Sequence, residues 1–326
     1  MTNLTGASPR ASGVRSQATW AMAAAGRHFP LMRGHSRIAG LIPAAGPGTD
    51  PTVEVRLRSG PRILIHPDEH IGRTIFFFGD LSPRLSWVCS RVLCPGDTVI
   101  DVGANYGVVT LLAAAAVGPT GRLHAFEPQP GIAALLRRSI GLNGMSQVDV
   151  HEIALSDHDG EMDLYVPDEN LGAGSLSRIL DEPGSTFTVQ VRSSGPFLGT
   201  LDLGPVKLLK IDIEGHEPEF LRGARDYLAA SPPDVIIMES NDHIFGPSKG
   251  PISLWDRPAI QQLCQLGYEI TAIDRMLRNL FIAGLTRLQP GRDDDWGHSL
   301  DYVAIHSTCY REMATLLRIK EIRAIR

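Results

Sequence analysis

From Thr98 onward, short apolar runs alternate with helical stretches, and this alternation constrains the fold of the 326-residue chain more than any other feature. The run at residues 98–102 is followed by a helical stretch at 111–117, and the run at 122–126 by a helical stretch at 132–142. Strands that alternate with helices form right-handed crossover units, whose strands lie parallel and are covered on both faces. The pattern therefore predicts an α/β fold with a parallel sheet.

The same alternation continues to the end of the domain, with one interruption. Further strands are predicted at residues 148–154, 206–213, 234–238, 268–272 and 302–306, and further helices at 219–228 and 259–266. Between residues 156 and 200 the alternation breaks, and two strand-like runs at 162–166 and 187–191 flank a stretch rich in Gly and Ser. We interpret residues 156–200 as an insertion at the functional edge of the sheet.

The chain before and after this region differs in composition. Residues 1–50 are rich in Ala, Gly, Ser and Pro and carry five arginines and one acid, which predicts a flexible basic segment. Residues 51–97 contain two strand-like runs around a Ser-Gly turn and then a helical stretch, so a β-hairpin and a helix are expected to cap the main domain. The main domain is assigned to residues 98–309, and residues 310–326 are expected to form a basic C-terminal helix.

Composition and charge exclude several classes of protein. The hydrophobic fraction is 43% and the net charge is −5, so there is enough apolar material for a core, and the acidic body argues against a nucleic-acid partner. The sequence lacks an apolar run of about 18 residues, so no integral membrane segment is expected. The four cysteines include no CxxC pair, which argues against a disulfide scaffold or zinc site and favours a reducing, cytoplasmic environment.

A glycine-containing turn follows the first strand of the main domain. Its sequence, Asp101-Val-Gly-Ala-Asn-Tyr-Gly107, lets the backbone turn tightly and approach a ligand at the edge where parallel sheets bind ligands. The spacing is GxxxG rather than the GxGxxG of dinucleotide-binding proteins. An acid at position 101 suits a ligand that carries positive charge, such as an amino-acid ammonium group. The alternative is a turn in which the Asp serves only as a cap.

An acid also ends the second strand. Glu127 lies 24 residues after Gly103, near the position where a carboxylate holds both ribose hydroxyls of an adenosine ligand. A carboxylate suits that role because it accepts two hydrogen bonds at once. A solvated loop residue is the alternative, but its pairing with the preceding glycine turn favours the binding role.

Ionisable side chains cluster at the end of the fourth strand. Asp212, Glu214, His216 and Glu217 stand within six positions of one another. Such a group can position a substrate hydroxyl, take its proton or hold a metal ion. Glu217 has a structural alternative, because an acid at the start of a helix complements the helix dipole. His243, after the fifth strand, is a further candidate base and equally an ordinary loop histidine.

Taken in order, these motifs resemble the FkbM family of S-adenosylmethionine-dependent methyltransferases. The resemblance covers about residues 50–310. It is carried by Asp101 to Gly107 with Thr110, Phe126-Glu-Pro128, Ala154-Leu-Ser-Asp157 with Gly160, and Lys210 to Glu217. The family fold implies a Rossmann-like class I methyltransferase sheet of seven strands, the last of them antiparallel, preceded here by the extension that contains the β-hairpin.

The resemblance also implies roles for individual residues around S-adenosylmethionine. Asp101 and Gly103 are expected by its methionine end, where Asn105 and Gly107 shape the loop. Glu127 is expected to bind the ribose. Asp157 is expected to reach the adenine amino group, with a backbone contact from Ile153–Ala154 as the alternative. His216 departs from the pattern, because the family more often has a small residue there.

The family implies methyl transfer to a hydroxyl, on a sugar of a glycolipid or polysaccharide or on a polyketide-type natural product. Our hypothesis is an O-methyltransferase that uses Asp212 and His216 at the acceptor, with no metal ligand assigned. His216 is the more suitable base because the ordinary pKa of histidine is near neutrality, and Asp212 is expected to position the cofactor or the acceptor. Two other readings stay open: an NAD(P)-dependent oxidoreductase, which the GxxxG spacing and Asp101 disfavour, and a non-catalytic accessory subunit. A homodimer is compatible with the sequence.

Overall fold

The computed structural model describes residues 17–26, 52–168, 170, 174–176, 183–239, 253–276, 281–290 and 301–320. The helices are α1 Gln17–Gly26, α2 His70–Phe78, α3 Pro83–Val92, α4 Val108–Val117, α5 Pro130–Asn143, α6 Ser194–Gly199, α7 Glu217–Ala230, α8 Pro258–Gln265 and α9 Tyr310–Leu316. The strands are β1 Val53–Arg56, β2 Arg62–Ile65, β3 Thr98–Val102, β4 Arg122–Phe126, β5 Val148–His151, β6 Ala154–Ser156, β7 Gly160–Pro167, β8 Gly184–Ser193, β9 Val206–Ile211, β10 Val235–Glu239, β11 Tyr268–Met276, β12 Phe281–Arg287 and β13 Asp301–His306.

The main sheet has the strand order β12-β11-β13-β10-β9-β3-β4-β5. Strands β10, β9, β3, β4 and β5 run parallel, and the last strand, β13, is antiparallel to both β10 and β11. The predicted seven-stranded arrangement with an antiparallel last strand is therefore confirmed. The edge strand β12 is an eighth strand that we did not predict. Its central Gly284 weakens the strand signal, but a side chain there would lie 2.3 Å from the backbone oxygen of Arg318.

Successive residues of the central strands bury their side chains on opposite faces of the sheet, as the alternation of Cβ directions in a strand requires. Ile100 and Leu209 belong to a cluster with residues of α7 and α8. Val99 and Leu208 belong to a second cluster with residues of α3, α4 and α9. Every residue of β3 is buried, which explains why its sequence reads as a continuous apolar run interrupted only by Asp101.

The insertion forms a separate three-stranded sheet in the order β6-β8-β7. The strands predicted at 162–166 and 187–191 are confirmed as the cores of β7 and β8. The prediction of a single strand over residues 148–154 is wrong, because the chain leaves the main sheet after His151 and β6 pairs with β8 instead. The crossing at Glu152 and Ile153 contains no glycine or proline, so the local sequence carried no signal of a break.

The region before the main domain contains the expected hairpin of β1 and β2, and helix α3 matches the helix expected after it. Within the segment predicted to be flexible, residues 17–26 form α1, which packs against α2. The apolar run at residues 75–78 belongs to α2, whose buried face includes Phe76 and Phe77.

The C-terminal helix is shorter than predicted. Helix α9 ends at Leu316, Arg318 takes a left-handed φ of 52°, and Lys320 pairs with Thr286 of β12. The expectation of a helix over residues 310–326 is therefore wrong for residues 317–320, where the chain turns back to add to the sheet edge, and residues 321–326 lie outside the described residues. Within the described ranges, none of the helices has the length and hydropathy needed to cross a lipid bilayer.

Candidate functional site

A cavity of about 490 Å³ lies at the carboxyl ends of the central parallel strands. Two groups of residues form neighbouring parts of its wall. We call residues 103–107 the glycine loop, and Asp212, Glu214 and Glu239 the acidic wall; all of them line the cavity. Ligands of parallel α/β sheets bind at this edge, so the fold and the cavity point to the same place.

The glycine loop is built from residues with left-handed backbone conformations. Gly103 has φ 75°, and a Cβ atom there would lie 1.9 Å from the backbone oxygen of Asp212. Gly107 has φ 95°, and its Cβ would lie 2.3 Å from Cδ1 of Leu136. Asn105, at φ 54°, accepts a hydrogen bond from the Tyr106 backbone N–H at 2.7 Å through Oδ1. Both glycines are therefore required by close approach as well as by conformation.

Glu127 is buried at the end of β4 and faces the cavity. Its Oε2 accepts a hydrogen bond from the backbone N–H of Asn105 at 2.8 Å, and its Oε1 accepts one from Gln129 at 2.9 Å. Burial raises the pKa of Glu127 to about 7, and these two hydrogen bonds oppose the rise. The carboxyl group is thus held in one orientation beside the glycine loop, where each oxygen can accept a further hydrogen bond.

Asp101 does not line the cavity, although we expected it near the ligand. Its side chain is fully buried. Its Oδ2 accepts a hydrogen bond from Thr110 Oγ1 at 2.6 Å, and its Oδ1 lies 3.3 Å from Lys210 Nζ. Asp101 thus has no contact with the cavity, and we expect it to influence a bound ligand only through its ion pair with Lys210.

Lys210 links the two parts of the wall, and sequence reasoning missed it. Its Nζ donates to the Gly103 backbone oxygen at 2.5 Å and lies 3.4 Å from Asp212 Oδ2. Burial lowers the pKa of Lys210, but the charges of Asp101 and Asp212 outweigh burial and hold it above its ordinary value. A second lysine in β9, after the buried Leu208 and Leu209 and close to the carboxyl end of the strand, was the signal that could have identified this residue.

The carboxylate oxygens of the acidic wall all lie within 4.8 Å of one another. Burial opposes ionisation of Asp212, but the neighbouring Lys210 charge and a hydrogen bond with Glu239 lower its pKa. Burial and the charge of Asp212 raise the pKa of Glu239 well above its ordinary value. When the pair holds one proton, these opposite pKa shifts favour the charge on Asp212 and the proton on Glu239. Among the described residues, this group is also the one that could hold a hard cation.

His216 lines the cavity but is almost fully buried. Its Nε2 lies 2.8 Å from Ser156 Oγ, and its Nδ1 lies 3.9 Å from Glu219 Oε2. Burial lowers the pKa of His216. Glu217 turns inward, where its Oε1 accepts hydrogen bonds from the backbone N–H groups of residues 213 and 215 at 3.1 and 3.2 Å. Glu217 thus stabilises the turn before α7, which is a structural role and not one in binding or catalysis.

The structure brings Ala154 to the cavity and leaves Asp157 outside it. Asp157 forms an ion pair with Arg222 and accepts a hydrogen bond from His158 at 2.8 Å. These hydrogen bonds, that from His158 first, lower the pKa of Asp157 to about 2. Of the two candidates for the adenine contact, the backbone of Ile153–Ala154 therefore lies at the cavity and the Asp157 side chain does not. His243 lies outside the described residues.

Two regions outside the sheet complete the wall. Leu164 and Leu176 of the insertion line the cavity, and Ser175 Oγ donates to the Glu214 backbone oxygen at 2.7 Å. Arg84 of α3 also lines the cavity and forms an ion pair with Asp301 of β13. These two partners are 217 positions apart, so local sequence carried no signal for the pair.

Comparison with known proteins matches residues 101–279 to the model of the methyltransferase FkbM domain. Methyltransferase 1 of Beauveria bassiana (strain ARSEF 2860) is 30% identical over 152 residues, which cover 40% of this chain and 60% of that protein. The 31-O-demethyl-FK506 methyltransferase FkbM of Streptomyces tacrolimicus is 29% identical over 163 residues, covering 41% and 62%. The chain thus spans about three-fifths of the length of these two relatives.

Among solved structures, the methyltransferase FkbM from Methylobacillus flagellatus KT aligns with a TM-score of 0.36 and 16% identity. The alignment covers 65% of this chain and 44% of that protein.

Proposed function

Since the chain belongs to the FkbM methyltransferase family and takes S-adenosylmethionine as its cofactor, we propose that it transfers the cofactor's methyl group to a hydroxyl oxygen. One observation carries the proposal. The ionised Asp212 lines the same cavity as the glycine loop and Glu127, and its backbone oxygen lies 1.9 Å from the Cβ position of Gly103. A binding wall for an adenosine ligand and a proton-accepting carboxylate therefore adjoin. Family membership replaces the NAD(P)-dependent reading.

The residues of the cavity fit the cofactor. Glu127 presents two fixed oxygens for the paired ribose hydroxyls. Phe126, Ile153 and Ala154 provide an apolar wall for the adenine, and the glycine loop gives backbone access to the methionine end. When bound, S-adenosylmethionine supplies a methyl group that its sulfonium already activates.

Asp212 is the proposed general base. A hydroxyl must lose its proton as the new O–C bond forms, and a well-placed base accelerates such a step about 10²–10⁴-fold. The Asp212 side chain is 33% exposed in the cavity, whereas that of His216 is 5% exposed. Asp212 can therefore contact an acceptor, and we assign His216 a positioning role. Through its contact with Ser156, His216 stabilises the turn after β9, which contains Asp212 and Glu214.

Orientation is the second contribution of the chain. Holding an acceptor oxygen in line with the methyl group lowers the barrier by roughly 7–11 kcal/mol in well-aligned systems. The walls that would do this come from α2 and from the insertion, with Ile71, Ile75, Leu164 and Leu176 facing the cavity. These apolar side chains exclude water and leave the carboxylates to recognise polar groups.

For the acceptor we propose a hydroxylated polyketide-type molecule or a sugar of a glycolipid or polysaccharide. The Streptomyces tacrolimicus relative is named for methylation of an oxygen of FK506. The combination of an apolar wall with three carboxylates suits a hydroxyl carried on a largely apolar body, or a ring with several hydroxyls.

The test is transfer of label from methyl-labelled S-adenosylmethionine to three defined acceptor pools: hydroxylated macrolides, glycolipids and polysaccharides. We expect label in one pool, in a form that withstands mild alkali as a methyl ether does. Glu127→Ala is the control for cofactor binding. Label on nitrogen, or on a carboxyl group as an alkali-labile methyl ester, would contradict transfer to a hydroxyl. Absence of label despite clear binding of S-adenosylhomocysteine would favour an accessory subunit.

A further inference from the structure

The cavity wall contains two permanently charged cations among the residues that the structure describes. They are Lys210, at the end of β9, and Arg84, in the first turn of α3. The methionine end of the cofactor carries a carboxylate, and a buried carboxylate without a cation costs several kcal/mol. One of these two side chains is therefore expected to form an ion pair with that carboxylate.

Lys210 is poorly placed for this role. Its ammonium group already lies within 3.4 Å of three oxygen atoms: the Gly103 backbone oxygen, Asp101 Oδ1 and Asp212 Oδ2. An ammonium group has three N–H donors, so these three contacts occupy all of them. Its side chain is only 5% exposed. Lys210 thus stabilises the wall itself.

Arg84 has the capacity that Lys210 lacks. Its guanidinium pairs with Asp301, and the Arg84 side chain remains 19% exposed. A guanidinium has five N–H donors in a planar fork, so one carboxylate partner leaves donors for a second. The side chain comes from α3, a helix that precedes the first strand of the main domain.

We propose that Arg84 binds the α-carboxylate of the cofactor's methionine end. The acidic wall then faces the positively charged ammonium and sulfonium groups, and Arg84 supplies the one charge of opposite sign that the carboxylate requires. The region 51–97 thereby contributes to cofactor binding in addition to covering the sheet. This inference rests on the proposed location of the cofactor in this cavity.

The experiment compares two ligands by calorimetry. S-adenosylhomocysteine carries the amino-acid group, whereas 5′-methylthioadenosine has the same nucleoside and thioether and lacks it. For Arg84→Met we expect the affinity for S-adenosylhomocysteine to fall about 10- to 100-fold, as for loss of a charged hydrogen bond. Affinity for 5′-methylthioadenosine should change less than about twofold. Arg84→Lys should recover part of the loss, because it restores the charge without the fork.

Two further variants separate binding from folding. Arg91→Met removes an arginine of the same helix that lies over the Trp87 ring, outside the cavity wall, and should leave both affinities unchanged. Asp301→Asn breaks the same ion pair from the other side and should preserve or raise affinity for S-adenosylhomocysteine.

Equal losses for both ligands in Arg84→Met would make the role structural and overturn the proposal. Unchanged affinity for S-adenosylhomocysteine would overturn it as well. If the unmodified protein binds neither ligand, the proposed location of the cofactor fails first, and the two failures are thereby distinguished.

Discussion

The glycine loop and the acidic wall line one cavity side by side, yet different forces hold them in place. The glycine loop is fixed by backbone geometry: two glycines in left-handed conformations and the Asn105 backbone N–H, which donates to Glu127. The acidic wall is fixed by charge, through the Lys210 ammonium between Asp101 and Asp212. The difference indicates that the loop determines where the nucleoside lies, whereas the wall determines which groups carry charge.

The largest effect is expected where the two regions touch. In Gly103→Ala the new methyl group would lie 1.9 Å from the Asp212 backbone oxygen, at a φ of 75° that alanine disfavours. Neither backbone can move without displacing its strand. We expect loss of S-adenosylhomocysteine binding by more than about 100-fold, measured by calorimetry, and a lower thermal midpoint.

Gly131→Ala is the matched control, since its Cβ meets nothing within 4 Å and it lies in α5. Alanine in a helix should stabilise the protein by about 0.5–1 kcal/mol. If Gly103→Ala behaved like Gly131→Ala, the loop would not be fixed by backbone geometry.

The second prediction concerns the ion pairs of Lys210 with Asp101 and Asp212. Lys210→Met removes the cation beside Asp101, whose carboxylate is fully buried. Leaving a buried charge without its partner costs about 3–5 kcal/mol, so the free energy of unfolding in urea should fall by that amount. Lys207→Met, in the same strand, breaks a partly exposed pair with Asp234 and should cost less than about 1 kcal/mol. Equal costs would show that the network contributes no special stability.

The third prediction concerns pH and the glycine loop. Burial raises the pKa of Glu127 to about 7, so its protonated fraction falls as the pH rises through neutrality. Ribose hydroxyls donate more strongly to the ionised carboxylate. Affinity for S-adenosylhomocysteine should therefore increase from pH 6 to pH 8, by up to about tenfold per unit below the pKa.

Glu127→Gln cannot ionise and should bind more weakly with a flatter pH profile. A variant that retains the full pH dependence would assign the titration to another group.

The smallest effect is expected at Asp157. Its carboxylate pairs with Arg222 and His158 outside the cavity. Asp157→Asn should change the affinity for S-adenosylhomocysteine by less than about twofold. A loss comparable to that of Glu127→Gln would restore the adenine-binding role that the family resemblance implied.

Sequence reasoning located the glycine loop more completely than the acidic wall, for a physical reason. The left-handed conformations of Gly103 and Gly107 are properties of their own backbone, and Glu127 follows the loop at a spacing typical of adenosine sites, so the sequence pattern is informative. The pairing of Lys210 with Asp101 depends on the register of two strands more than one hundred positions apart. Arg84 and Asp301 depend on the packing of a helix against the far side of the sheet.

The fold shows the same division. The periodic elements of the main domain were predicted within a few residues. Strand β12 was missed because a glycine required by close approach to Arg318 weakens its pattern. The crossing from β5 to β6 was missed because only two residues separate the strands and neither is a glycine or a proline.

The most direct test is a comparison of Asp212→Asn with Glu127→Ala, in which methyl transfer in a single turnover and affinity for S-adenosylhomocysteine are measured on each variant. The account predicts that Asp212→Asn binds within about threefold of the unmodified protein but transfers about 10²–10⁴-fold more slowly. Glu127→Ala should bind S-adenosylhomocysteine more weakly, and its rate of transfer should recover when the cofactor is saturating. Full transfer by Asp212→Asn would contradict the assignment of the acidic wall to the chemical step.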